Sequence, residues 1–164
     1  MDNPTGFPRH REIERKFRVL HDGWRAQALE PAIVMRAGYL SRRPEAVVRV
    51  RFEGDQAILT IKGAPTDPEG RDRAEHNFII PSEEAELMLA GPMLDGGIIH
   101  KIRHTVLVAD SQFVVDVFVH PRPGLVLAEI ELPHRDADFA RPDWLGEEVT
   151  SDWTLTNAAI AAEA

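Results

Sequence analysis

Charged residues recur at strand spacing in this chain. Carboxylates stand two apart in Glu12-x-Glu14 and Glu129-x-Glu131, and cations two apart in Arg49-x-Arg51 and Lys101-x-Arg103. Lys16, Lys62, Arg73, Glu75 and Asp116 sit in similar alternating runs. On a strand, residues i and i+2 share a face. Each pair would therefore set two like charges side by side, which repels unless something lies between them. Paired carboxylates are hard oxygen ligands suited to Mg²⁺ or Mn²⁺. Arginine and lysine clamp phosphate oxygens. A metal-bound polyphosphate satisfies both sets. For any single strand, the solvated face of a sheet is the plainer account; its repetition on strand after strand weakens that account.

Alternation also marks the elements that must carry these residues. Strands are expected at 10–19, 32–41, 45–54, 56–63, 71–80, 98–109, 111–120 and 125–133. Val48, Val50 and Phe52 alternate with Arg49 and Arg51, and Leu59 and Ile61 oppose Thr60 and Lys62. "EGD" makes a hairpin turn between two of these runs. "PSEEAELMLAG" is the clearest helix, with Ser82 as its cap, acids in its first turn and Gly91 at its end. Shorter helical pieces are expected at 24–29, ended by Pro31, at "DADFA" and in "TLTNAAIAAEA". Most connections have hairpin length, which implies antiparallel pairing, and eight strands are enough to close a barrel. The expected fold class is α+β: an eight-stranded antiparallel β-barrel tunnel with a charged interior, flanked by a few short helices. Residues 1–9 are expected to be a flexible leader and 10–164 a single tunnel domain.

The composition bounds the partners. A net charge of −8 over 164 residues disfavours nucleic acid as the ligand. The chain has no cysteine, which excludes disulfides, zinc–thiolate sites and thiol nucleophiles. No apolar run approaches the length of a membrane span, and "MDNPTGFPRH" does not read as a secretion signal. A cytoplasmic protein, monomeric or homodimeric and without a nucleic-acid or membrane partner, is expected.

With these residues in view, the chain resembles the CYTH domain, or triphosphate tunnel metalloenzyme, superfamily from about residue 11 to 162. "EIERK" is similar to its Glu-x-Glu-x-Lys signature, and "VVRVRFEGDQAILTIKG", "HKIRH", "VVDVF", "LAEIEL", "PDWLGEEVT" and "TNAAIA" follow in family order. The resemblance implies a tunnel that binds a triphosphate with Mg²⁺ or Mn²⁺ and hydrolyses it, with inorganic tripolyphosphate preferred. Thiamine triphosphate hydrolysis, cyclisation of ATP and non-catalytic binding of polyphosphate or nucleotide are the alternatives. By matched position it implies metal ligands among Glu12, Glu14, Glu75, Asp116, Glu129 and Glu131, with Asp116 orienting bases or metal-bound water. Lys16, Arg49, Arg51, Lys62, Arg73, Lys101 and Arg103 would hold phosphates. Lys16, Lys101, Glu14 and Glu131 would be catalytic, with one lysine of a close pair serving as general base.

The chain departs from the family pattern at three places. Asn77 replaces the second acid of a Glu-x-Glu pair, Ala37 replaces glutamine, and His104 replaces tyrosine. Asn77 would keep an oxygen ligand while losing a charge. His100 and His104 are ~13 Å apart along a strand and cannot share an ion. Tyr39, on the face of Ala37 and Ser41, is a packing residue or a substrate contact. Glu148 is a structural partner of a tunnel arginine or a metal ligand. Trp144 and Trp153 are expected to anchor the C-terminal segment.

Overall fold

The expected period of two governs the strands of the computed structural model, which describes residues 12–68 and 72–164. The strands are β1 (Glu12–Val19), β2 (Ala28–Arg43), β3 (Ala46–Glu53), β4 (Gln56–Gly63), β5 (Asp72–Arg73), β6 (Glu75–Ile79), β7 (Ile99–Val108), β8 (Ser111–His120), β9 (Val126–Glu131) and β10 (Leu145–Glu148). The helices are α1 (Ser82–Ala90) and α2 (Asn157–Ala161), with 3-10 turns at Asp22–Gln27 and Trp153–Leu155. Strand order is β10-β1-β9-β8-β7-β2-β3-β4-β6, and every neighbouring pair is antiparallel. The leader at 1–9 lies outside the described residues.

Among the described residues the sheet has ten strands rather than eight, and its ladder does not close into a continuous barrel. The single strand expected at 71–80 is broken at Ala74. β5 pairs β1 through Glu12–Arg73 and Ile13–Asp72, whereas β6 pairs β4 from Ile58–Ile79 to Lys62–Glu75. β10 was not anticipated because "LGEE" carries no alternation; it is held on β1 by the Phe17–Glu148 and Val19–Leu145 pairs. Pro31 does not end a helix but lies inside β2, at the register shift between Leu29 and Ile33, where a ladder can spare an N–H.

The helices cover and plug the sheet. Ala85 and Leu89 of α1 pack on Val50 and Ala57, on the side of β3 and β4 opposite Arg51. Gly38 permits this approach: a Cβ there would stand 2.8 Å from side-chain carbons of Leu89 and Leu94 and 2.9 Å from Ile98. Ser82 does not cap α1. The N-cap is Pro81, whose carbonyl accepts from Ala85 N at 3.1 Å, and no side chain caps the end. Around β1, β7 and β8 the outer face is sealed by Trp24, Phe113 and Trp144. "DADFA" forms no helix; it follows a turn closed by Ala137 N donating to His134 O, which lets Phe139 reach Phe17 and Phe113. Leu155, Ile160 and Ala161 pack on Tyr39, Ile99, Phe118 and Leu127, making an apolar floor on the face that also carries the charges.

Candidate functional site

Register brings the charged faces together. Glu14 stands opposite Glu131 and Lys16 opposite Glu129 across β1 and β9; Arg49 faces Thr60 across β3 and β4, and Lys62 faces Glu75 across β4 and β6. These side chains line one cavity of about 630 Å³. It gathers eleven of the residues singled out from the sequence: the acids Glu12, Glu14, Glu75, Glu129 and Glu131, and the cations Lys16, Arg49, Arg51, Lys62, Arg73 and Arg103.

Two residues stand behind the wall instead. Lys101 and Asp116 are buried, and neither lines the cavity. Asp116 accepts from Arg103 Nε and Nη2, both at 2.8 Å, and from Lys101 Nζ. Both oxygens of Asp116 are thus engaged by cations, which suits orienting bases rather than holding a metal. Arg103 and Lys101 hold its carboxyl well below the usual range despite burial. Lys101 also donates to Asn157 Oδ1 at 3.3 Å.

The two lysines do not perturb each other as expected. Burial lowers the Lys101 ammonium to about 8, with Arg103 adding to the effect and Asp116 opposing it. Burial opposes the Lys16 charge as well, but Glu129 and Glu14 more than offset it and push its pKa up. Lys16 therefore remains a cation, 3.0 Å from Glu129 and 3.4 Å from the Leu155 carbonyl oxygen.

The acids fall into two sets. Lys62 Nζ bridges Glu12 at 2.6 Å and Glu75 at 2.9 Å. Glu75 is held well below its ordinary value, since Lys62, a hydrogen bond with Glu12 and Arg49 outweigh burial. Glu12 is pushed well above its own by burial and by Glu14 and Glu75, against Lys62. Glu131 is raised by burial and by Glu12 and Glu75. Among the described residues Glu14 and Glu131 form no ion pair. Nor are any three His, Asp or Glu side chains there gathered tightly enough, as they stand, to hold a metal. The donor set nevertheless fits a hard divalent cation: it is all carboxylate oxygen and crowded, and two of its members, Glu12 and Glu131, are raised by burial and by their acidic neighbours.

Arg49 differs from Arg51 and Arg103. Arg51 pairs with Glu53 at 2.6 Å and Arg103 with Asp116, but Arg49 forms no ion pair among the described residues, and its buried Nε has no hydrogen-bond partner. The buried Nε of Arg42 is likewise without a hydrogen-bond partner. A buried, unsatisfied guanidinium N–H facing a cavity is costly unless an acceptor arrives. Burial and Arg49 together lower Arg51 to about 10.

The structure revises several finer expectations. The Asn77 oxygen is already taken: Oδ1 accepts from Thr60 Oγ1 at 2.7 Å and Arg51 Nη1 at 3.3 Å, while Nδ2 donates to Glu75 at 2.9 Å. Asn77 thus positions a carboxylate rather than adding a ligand. Glu148 does not line the cavity and pairs with Arg15, which lies outside it too. Trp144 is a buried anchor, whereas Trp153 is 75% exposed and lines the cavity. Tyr39 is buried yet reaches the cavity wall. His104 packs edge-on against Trp24, and His100 faces His120, both outside the cavity. Sequence reasoning missed Asn157 and Thr60. Thr60 could have been found by its place two residues before Lys62; Asn157, on a helix, carried no spacing signal.

Known proteins share this arrangement. The CYTH domain family model matches residues 10–156. The inorganic triphosphatase of Acetivibrio thermocellus is 38% identical over 150 residues, covering 92% of each chain. That of Nitrosomonas europaea is 34% identical over 156 residues, covering 92% of this chain and 96% of its own. The crystal structure of the inorganic triphosphatase NE1496 matches with a TM-score of 0.61 at 32% identity, over 93% of this chain and 95% of that one. A conserved hypothetical protein from Pyrococcus furiosus, at 17% identity, shares the fold with a TM-score of 0.58, over 76% of this chain and 80% of its own. On the family match and on these relatives, the chain belongs to the CYTH domain family, whose members require a divalent metal.

Proposed function

We propose that the protein is a metal-dependent triphosphatase that hydrolyses inorganic tripolyphosphate to diphosphate and phosphate. The observation that carries this reading is Arg49: a cavity-facing guanidinium with a buried, unpartnered N–H, opposite a wall of glutamates. The two curated relatives, both inorganic triphosphatases, support it. The acting unit is the single domain of residues 10–164. The pairing of β5 on β1 and of β6 on β4, two strands joined at Ala74, supports a tunnel in which the two sides of the sheet come round the cavity.

Arg49, Arg51, Arg73 and Arg103, with Lys16 and Lys62, donate to the phosphate oxygens and fix the chain of phosphorus atoms along the cavity. Glu14 and Glu131, with Glu12, Glu75 and Glu129, would hold Mg²⁺ or Mn²⁺. Bound there, the ion would neutralise charge on the phosphates and on the leaving diphosphate. A water oxygen bonds to a terminal phosphorus in line with the bridging P–O bond. That bond breaks, and its electron pair leaves on diphosphate. The water proton passes to a cavity carboxylate that the ion does not engage. Lys16 stays charged and stabilises the transferring group. Lys101 and Asp116 act from behind by fixing Arg103.

The test is a substrate panel with Mg²⁺ or Mn²⁺: tripolyphosphate, thiamine triphosphate and ATP. Phosphate and diphosphate from tripolyphosphate at the highest kcat/KM is the expected result. Cyclic AMP from ATP, or binding without turnover, would replace this reading with a cyclase or a binder.

A further inference from the structure

Among the described residues Trp153 is the most exposed of the large apolar side chains, at 75%, and it lines the phosphate cavity. The other tryptophans, Trp24 and Trp144, are 0% and 1% exposed and form part of the packed outer face. Its surroundings mark an opening. Ala46 pairs with Gly63, so the β2–β3 turn and the loop after β4 leave the sheet at one end. From them Arg42, Pro44 and Pro65 join Trp153 in the lining.

The backbone that carries the indole is held in place. The Trp153 carbonyl oxygen accepts from Thr156 Oγ1 at 2.8 Å and Thr156 N at 3.2 Å, and Asp152 Oδ1 accepts from Thr154 N at 3.1 Å. The residues that follow are tied to the lysines: Leu155 O to Lys16 Nζ at 3.4 Å and Asn157 Oδ1 to Lys101 Nζ at 3.3 Å. An exposed aromatic face lining a phosphate cavity, on a backbone segment anchored by the same lysines, has the chemistry of a stacking platform. A bare triphosphate has no group to place on it; a triphosphate carrying a planar ring does.

We propose that Trp153 is a specificity-determining residue that stacks the planar organic group of a ring-bearing triphosphate, such as a nucleoside triphosphate, while its phosphates occupy the cavity. This rests on the triphosphate reading above. It adds a second class of ligand and the residue that selects it.

Because the other two tryptophans are buried, fluorescence quenching reports on Trp153. The first measurement is quenching of the full chain, in the presence of Ca²⁺, by ATP and by tripolyphosphate. ATP is expected to quench, tripolyphosphate to leave the emission largely unchanged, and W153F to abolish the ATP response. The second is kcat/KM with Mg²⁺. W153A is expected to lower the value for ATP ~5- to 150-fold, the worth of one lost base–aromatic stack, mainly through KM. The tripolyphosphate value is expected to stay unchanged, and W153F to restore most of the loss. Absence of ATP quenching overturns the proposal. So does an equal loss for both substrates, which marks a structural role, or a gain for ATP, which marks Trp153 as a barrier. Loss of tripolyphosphate turnover in the unaltered protein, with ATP quenching kept, would sink the triphosphatase reading and leave the platform standing.

Discussion

Replacing Asp116 with asparagine tests the electrostatic frame behind the cavity wall. The side chain keeps its volume, so no void opens. What changes is that two buried cations lose their common counter-ion. Arg103 retains Glu129 at 3.7 Å, but Lys101 retains only neutral neighbours, the Asn157 oxygen at 3.3 Å and the Phe118 ring at 5.3 Å. Removing one partner of a buried pair costs ~3–5 kcal/mol. At ~2–4 °C per kcal/mol for a chain of this size, Tm should fall by ~6–20 °C at neutral pH. The double variant D116N/K101M removes the stranded cation as well and should recover most of the loss, since a buried pair replaced whole is often near neutral. The sign of the pH dependence follows from the depressed Asp116 carboxyl. Its stabilisation is complete above the unfolded value of ~3.9 and is lost as pH falls through the folded value. The Tm gap between the unaltered protein and D116N should therefore narrow as pH drops below ~5. Thermal melts of the unaltered protein, D116N, K101M and the double variant from neutral pH downward make the measurement. A D116N melt within about 2 °C of the unaltered protein, or a double variant that loses the sum of both single losses, would refute the reasoning.

Three further outcomes follow from the cavity and its cover. R49M should weaken tripolyphosphate binding ~10- to 150-fold by calorimetry, the value of charge-assisted hydrogen bonds worth ~1.5–3 kcal/mol. Its Tm should change little, because the substitution also removes a buried guanidinium N–H that has no partner. Adding Mg²⁺ or Mn²⁺ should raise Tm, with a ~3 kcal/mol gain at a hundred times Kd, and a chelator should reverse it; E131Q should shrink the shift by half or more and abolish turnover. G38A should cost ~1–3 kcal/mol in chemical denaturation by forcing α1 away from β2, with little change in KM.

The strand faces were legible because they obey a period of two. Once Arg49 and Arg51 are assigned to one face of β3, antiparallel register carries Thr60 and Lys62, then Glu75 and Asn77, to the same side. Length and closure were less legible. The run 71–80 alternates throughout, yet Ala74 breaks it so that its two parts serve opposite partners, a tertiary demand that no local pattern encodes. "LGEE" joins the sheet only because β1 offers it an edge. Depth was also hidden: Lys101 shares the inward face with Arg103, and only the floor made by α2, with Phe118 and Leu127, decides that it lies behind the wall. The same floor places Asn157 against Lys101 and leaves Trp153 exposed, two positions that a helix or turn cannot announce through strand spacing.

The balance of charge in the cavity explains why both signs are built into one wall. Among its described lining residues, seven cations face five carboxylates, an excess of two positive charges in a chain whose net charge is −8. The internal pairs Lys16–Glu129 and Lys62 with Glu12 and Glu75 let the sheet bury these groups without stranding them. A divalent cation alone would deepen the positive excess, and a bare triphosphate of ~4–5 negative charges, each terminal phosphate being nearly doubly ionised, would overturn it. The two together come close to cancelling it. The wall is therefore matched to a metal–triphosphate pair rather than to either component. Arg49, left without a partner, is the point at which that unmet demand shows in the protein itself.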